Sequence, residues 1–419
     1  MRISTSQIYS IADIGMRDAQ VAVEKTHEQL STGKRVLSPA DDPIAATSIL
    51  SLNQELSRTE QFKKNIDAAV NSLDLEETAL QSVDSIVQRL REITVSAGNT
   101  AVFTAADYKS LAAEIDARLE ELVNLQNTRN ASGQYIFAGY QSETVPFLDE
   151  GGGNYSYQGD EGQLRLQASA TVTVPVTDSG KRVFMDIPSS HNTFNSSASS
   201  ANTSLPAAII TVGEVVDQEA YDAFYPQDMQ ITFNQNSAVI PAAANYTITE
   251  RATGKILAAN QLYVEGQDIE LNGAKFAIFG TPNSATVTAP GDSFFIESTN
   301  KQSLLTSVAR LSAAMKAVKD TPADKTEFAK VVAKTLTNLG NAIVNTGAVL
   351  GDLGARQNML ESTKDLHADT EVYGKKVLAQ LQDLDYAEAS TRLQLQTMVL
   401  SASQQSFVKI SDLSLFNYL

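Results

Sequence analysis

Few residues in this chain have the types and spacing that chemistry needs. His27-Glu28 opens like the zinc motif in which two histidines four apart share a helix face with a glutamate base. Ser31 stands where the second histidine is required. A lone histidine is a poor ligand set, so His27 reads as a surface helix residue. His191 lies in a Ser/Asn-rich stretch with no partner in view, and His367 is the third and last. Asp41-Asp42 could be a carboxylate pair or a Ca²⁺ ligand set. Pro43 and a helical run follow, so a capping role for Asp42 explains the pair more simply. Gly151-Gly-Gly153 runs into Asn-Tyr rather than a phosphate-loop lysine and reads as a turn. No EF-hand spacing, dinucleotide fingerprint or ordered Ser–His–Asp arrangement stands out. Cysteine is absent, which removes disulfides, thiolate catalysis and Cys-based metal sites together. The expectation is a protein that is not an enzyme, with no catalytic, cofactor or metal residues.

What the chain does carry is a pair of stripes at its two ends. Tyr9, Met16, Val23 and Leu30 stand seven apart, with Ala12, Ala19 and Thr26 three residues after the first three. Tyr386, Leu393, Leu400 and Phe407 repeat the spacing, followed at three by Ala389, Gln396, Ser403 and Ile410. A sustained three-four spacing marks a helix that lays one side against another helix. The first and last segments are therefore expected to pack together. Thr, Gln and Ser within the stripes make each helix weak alone, which points to assembly.

The formal charge is −17, from 32 basic and 49 acidic residues. Such a chain has no general attraction to nucleic acid or to anionic membrane. No run approaches the roughly 18 apolar residues of a membrane span. The N-terminus shows no apolar core of a cleaved signal. The expected location is the cytoplasm, or outside by a route without signal cleavage.

Nine of the eleven prolines lie between Pro146 and Pro322, so both ends permit long helices. The spacing predicts a first helix ending before Gly33. A second is capped by Asp42, carries Ile49, Leu52, Leu56, Ile66, Val70, Leu73, Leu80 and Val87 on one side, and stops near Gly98-Asn99. A third is capped by Thr104 with Asp107. From Leu164 to Val176 every even position is apolar, the pattern of a half-buried strand. Further strands are expected at 229–233, at 246–249 and on both sides of Asn272-Gly273, a hairpin turn signal. Pro188 to Pro206, rich in Ser and Asn, reads as a linker. Helix returns after Asn300, with Thr321 as the cap of a last long stretch whose middle Gly340, Gly347, Gly351 and Gly354 weaken.

Leu30-Ser-Thr-Gly-Lys-Arg-Val-Leu-Ser-Pro-Ala-Asp-Asp-Pro-Ile-Ala-Ala46 resembles the signature after the first helix of the flagellin superfamily. Asp385-Tyr-Ala-Glu-Ala389 through Gln404-Gln-Ser-Phe407 resembles its C-terminal signature. Gly133-Gln-Tyr-Ile-Phe-Ala-Gly139, Pro146-Phe147, Tyr157-Gln-Gly-Asp160, Pro290-Gly-Asp-Ser-Phe-Phe295 and the ending Leu413-Ser-Leu-Phe-Asn-Tyr-Leu419 are similar to its hook–filament junction branch. The resemblance covers roughly 1–187 and 266–419. It implies a flagellar protein outside the cell, sent through the flagellar type III export apparatus without signal cleavage. The implied partners are hook-associated protein one, flagellin, an export chaperone and further copies of the chain.

The expected fold is α+β: a rod of long antiparallel helices from both arms, with an inserted β-rich domain. Expected divisions are an N-terminal assembly helix (1–45), helices with a β-hairpin extension (46–187), the β-rich insertion (188–297), returning helices (298–374) and a C-terminal assembly helix (375–419). The expected assembly interface comprises Tyr9, Met16, Val23, Leu30, Tyr386, Leu393, Leu400, Phe407, Ile410, Leu415, Phe416 and Leu419. A filament flagellin is the alternative within the class. A glycan-binding adhesin or enzyme working through the β-rich domain is the alternative outside it.

Overall fold

The computed structural model describes residues 5–415. Three helices come first: α1 (Thr5–Thr32), α2 (Pro43–Ala97) and α3 (Ala105–Gln126). Short strands β1 (Phe147–Gly151), β2 (Asn154–Tyr157), β3 (Arg165–Gln167) and β4 (Thr173–Pro175) follow. Then come β5 (Pro188–Ala198), β6 (Ile209–Ile210), β7 (Glu214–Val215), α4 (Gln218–Phe224), β8 (Met229–Phe233), β9 (Asn245–Glu250) and β10 (Ile256–Leu262). The chain continues through β11 (Asp268–Leu271), β12 (Ala274–Phe279), β13 (Ser293–Lys301), α5 (Leu304–Ala317), α6 (Pro322–Gln382) and α7 (Tyr386–Leu415). This is an α+β chain with long helices from both ends and a β-rich insertion. It divides into two compact units, 1–65 with 361–419, and 66–360.

Helix boundaries follow local chemistry. Gly33 takes φ +69°, a left-handed turn that other residues resist, and α1 stops there. The Ala45 amide donates to Asp42 Oδ1 at 2.9 Å, which caps α2. Thr104 and Asp107 satisfy each other's backbone amides in a capping box at α3. The Asp324 amide donates to Thr321 Oγ1 at 3.1 Å at the start of α6.

Both hydrophobic cores lie within 66–360. One gathers Ile66, Leu73, Leu80 and Leu90 of α2, Ile115 and Leu122 of α3, Leu305 and Leu311 of α5, and Leu339 and Leu353 of α6. The other joins a five-stranded antiparallel sheet, ordered β10-β9-β8-β13-β5, to the β11-β12 hairpin and β6. Phe194, Met229, Ile231, Phe233, Phe276, Phe294 and Ile296 fill it. Arg310 of α5 reaches into this region and donates to the carbonyls of Gly213 (2.7 Å) and Phe194 (2.8 Å) and to Thr193 Oγ1 (2.7 Å).

Three expectations need correction. The Ser/Asn-rich stretch from Pro188 is not a linker: β5 runs to Ala198 along β13. Its Ser196 is buried because the hydroxyl donates to Thr211 O at 2.7 Å, and a satisfied polar group can enter a core. The even-position pattern over 164–176 is two strands, β3 and β4, paired as a hairpin. Leu166 faces Val174 and Gln167 faces Thr173, so the turn keeps even residues opposite even ones. A period of two therefore cannot reveal the fold-back. The last long stretch is helical as expected, with α6 running unbroken through Gly340, Gly347, Gly351 and Gly354. The β-rich insertion also reaches past 297, since β13 ends at Lys301.

Candidate assembly surface

In the unit formed by 1–65 and 361–419, α1 and α7 lie side by side and antiparallel. The Tyr9 and Phe407 rings meet edge to face with centroids 5.6 Å apart. Thr26 Oγ1 donates to Gln396 Oε1 at 2.7 Å, so the polar residues of the two stripes pair across the seam. The turn after α1 closes the pair: Leu384 N–H donates to Gly33 O at 2.9 Å, and Arg35 N–H donates to Gln382 O at 2.7 Å. Gln29 Nε2 donates to Arg35 O at 2.7 Å. A Cβ at position 33 would stand 2.8 Å from Tyr386 Oη, so glycine serves there for space as well as for φ.

Asp41 stabilises the same turn. Its Oδ2 accepts from the amides of Leu37 (3.0 Å) and Ser38 (2.9 Å), and its Oδ1 pairs with Lys25 Nζ at 2.5 Å. The Lys25 contact, followed by the Ser38 amide, holds its carboxyl well down, to about 2. The aspartate pair is thus a loop staple and a helix cap. Among the described residues no cluster of His, Cys, Asp or Glu could hold a metal ion. His27 is exposed. His191 Nδ1 lies 3.0 Å from Ser190 Oγ, and His367 stacks on Phe62.

The stripe residues Tyr9, Met16, Val23, Leu30, Leu393, Leu400 and Phe407 are half-buried, and Tyr386 is exposed. They face the neighbouring helix of the same chain. Phe416 and Leu419 lie outside the described residues, as do the side chains of Ile410 and Leu415. The seam has little apolar core: Thr26 and Gln29 are among its buried residues, with Ala389 opposite.

A second apolar set was missed in the sequence. Ile11, Ile14 and Val21 on α1, and Leu395, Met398, Val399 and Val408 on α7, are exposed, from 49% for Val399 to 70% for Met398. Ile11, Ile14, Val21, Leu395 and Met398 fall two or five places after a stripe residue, on the side away from the seam. The available signal was that each helix is apolar on two opposite sides. A helix apolar all round belongs inside something larger.

Comparison with known proteins accords with this picture. Residues 3–142 match the bacterial flagellin N-terminal helical region, and residues 336–419 match the bacterial flagellin C-terminal helical region. Together these matches span more than half of the chain. The chain is 26% identical to the flagellar hook-associated protein 3 of Escherichia coli K12, over 99% of each chain. It is 36% identical to that of Salmonella typhimurium over 45% of this chain and 58% of the other. It is similar to the crystal structure of flagellar hook associated protein-3 from Legionella pneumophila: TM-score 0.53, 28% identity, 80% of this chain and 98% of that one. Flagellins match more distantly, that of Listeria monocytogenes at 27% identity over 31% of this chain and 45% of that one.

Proposed function

We propose that this chain, which belongs to the flagellin superfamily, is a structural junction piece of the bacterial flagellum, joining the hook-associated zone to the filament. One observation carries this choice over a filament flagellin. The likeness to hook-associated protein 3 extends over 99% of both chains, whereas the Listeria flagellin match covers 31% of this one.

The work of such a piece is packing rather than catalysis. The α1–α7 pair presents its outward aliphatic residues to neighbours, and the stripe from Tyr9 to Leu419 tightens as neighbours press on it. Each aliphatic side chain fully withdrawn from water contributes about 1.5–3 kcal/mol before ordering losses. Hook-associated protein one lies on one side and flagellin on the other, with further copies alongside. Before assembly an export chaperone covers the C-terminal helix, and the chain leaves by the flagellar type III route without signal cleavage.

A strain lacking the gene tests this. Hooks should remain while unpolymerised flagellin accumulates in the medium. Normal filaments in that strain would end the junction reading.

A further inference from the structure

We infer that a polar cleft between the β-rich insertion and α6 binds a small oxyanion, a role independent of the junction reading. The cleft lies wholly within the 66–360 unit and has a volume of about 470 Å³. His191 and Thr193 of β5, Val215 of β7, Arg310 of α5, and Lys334 and Asn338 of α6 stand on its walls.

Two cations on these walls are held by neutral oxygens alone. Besides the carbonyls of Gly213 and Phe194 and the Thr193 hydroxyl, Arg310 donates to Val212 O at 3.2 Å and Gln302 Oε1 at 3.1 Å, which uses all its N–H groups. Lys334 Nζ donates to Val215 O at 3.0 Å and lies 3.5 Å from Gln218 Oε1. An ammonium has a third N–H to give. Neither cation makes an ion pair among the described residues. Burial pushes the Arg310 guanidinium down to about 10. Burial also lowers the Lys334 ammonium, with Arg310 and Lys330 adding to the shift against Glu214 and Glu327. A cation short of both water and an opposite charge gains most from an anion that reaches it.

The carboxylates around the cleft are engaged, exposed or distant. Glu214 shares Lys275 with the exposed Asp268, at 3.7 and 3.4 Å. Asp222 is exposed and accepts from the side-chain amides of Gln218 (3.0 Å) and Asn192 (2.8 Å). Glu270 is exposed on β11. Glu327 pairs with Lys330 at 2.8 Å, and Asp324 accepts from Thr321 Oγ1 at 2.6 Å. These last two precede Lys334 by seven and ten positions on α6, about 10 and 15 Å along the helix. Near Lys334, the charges partly withdrawn from solvent are therefore Arg310, Lys334 and Lys275 against Glu214. Exposed charges are screened by water and salt, so this inner set decides the sign. No aromatic residue lines the cleft, and charge rather than stacking selects the occupant. An oxyanion at the inner end accepts from Lys334 and stays clear of Asp324 and Glu327.

Sodium sulfate is the probe, titrated into the full chain at an ionic strength held constant with sodium chloride. The chain has three histidines, and of these only His191 lines the cleft. Its ring signals in proton NMR should shift saturably with sulfate while those of His27 and His367 stay in place. Calorimetry should give one site per chain. Lys334→Gln, with its folding checked by a melting curve in chloride, should weaken that site about tenfold or more, given what a hydrogen bond to a charged group contributes. A His191 signal that stays still, moves linearly, or moves together with the other two overturns the proposal without recourse to any variant. Equal sulfate affinity in the parent and in folded Lys334→Gln overturns it as well.

Discussion

Glu76 is where a single residue sets a condition on the whole fold. It is buried on α2 beside Asp178, whose carboxylate is engaged by Arg182 (2.8 Å) and Arg356 (2.8 Å). Burial, reinforced by the negative Asp178, pushes the Glu76 carboxyl up to about 8 from an ordinary 4.5, against the pull of Arg356. A carboxyl raised in the fold favours folding while protonated. That advantage is whole below about pH 4.5 and lost once pH has risen through about 8. The predicted loss is on the order of a few kcal/mol. Glu76→Gln, which cannot ionise, should therefore melt above the parent at about pH 9 and close to it at about pH 5. An unchanged difference across that range would show that Glu76 is charged throughout. The sequence marks Glu76 only as one more acidic residue on a long helix. Its surroundings include Asp178, about a hundred positions away in the chain. By contrast, the caps at Asp42, Thr104 and Thr321 were legible, because each capping bond joins the side chain to an amide three positions along.

At the scale of elements, α6 shows what local propensity can and cannot say. Gly340, Gly347, Gly351 and Gly354 lower its intrinsic stability, and a Cβ placed at any of them meets nothing within 4 Å. The helix persists because Leu339, Ala342, Val349 and Leu353, between and beside the glycines, are buried in the core. Gly347→Ala and Gly351→Ala should each raise stability by about 0.5–1 kcal/mol, read as a higher denaturation midpoint. A lower midpoint would mean that this side of α6 meets something a methyl group obstructs. The same lesson holds for β5. Its Ser and Asn residues have poor strand propensity, yet β13 supplies backbone partners from Thr193 to Ala198 and again at Pro188. The Asn272-Gly273 hairpin was readable because left-handed backbone at both positions, φ 49° and 78°, is a local demand that those residue types meet.

For the whole molecule, the two compact units differ in what holds them. Both apolar clusters belong to 66–360, whereas the α1–α7 seam rests on half-buried side chains and a threonine–glutamine bond. Regions with few buried apolar contacts open first. In dilute solution, limited proteolysis should cut up to about residue 40 and beyond about residue 375 while 66–360 survives, a difference expected of ends awaiting partners. Equal resistance throughout would contradict the assembly role argued for the ends. The amino-acid sequence alone determined the long terminal helices, their antiparallel partnership, the caps and turns, and the family, because these depend on spacing and on contacts between near neighbours. Tertiary structure alone decided that the Ser/Asn stretch becomes a strand, that one alternating run folds back on itself, and that the seam uses up the stripes and leaves other aliphatic residues facing outward. Those outcomes turn on which distant segment supplies a hydrogen-bond partner or covers an apolar side chain. Such pairings arise only when the whole chain has folded.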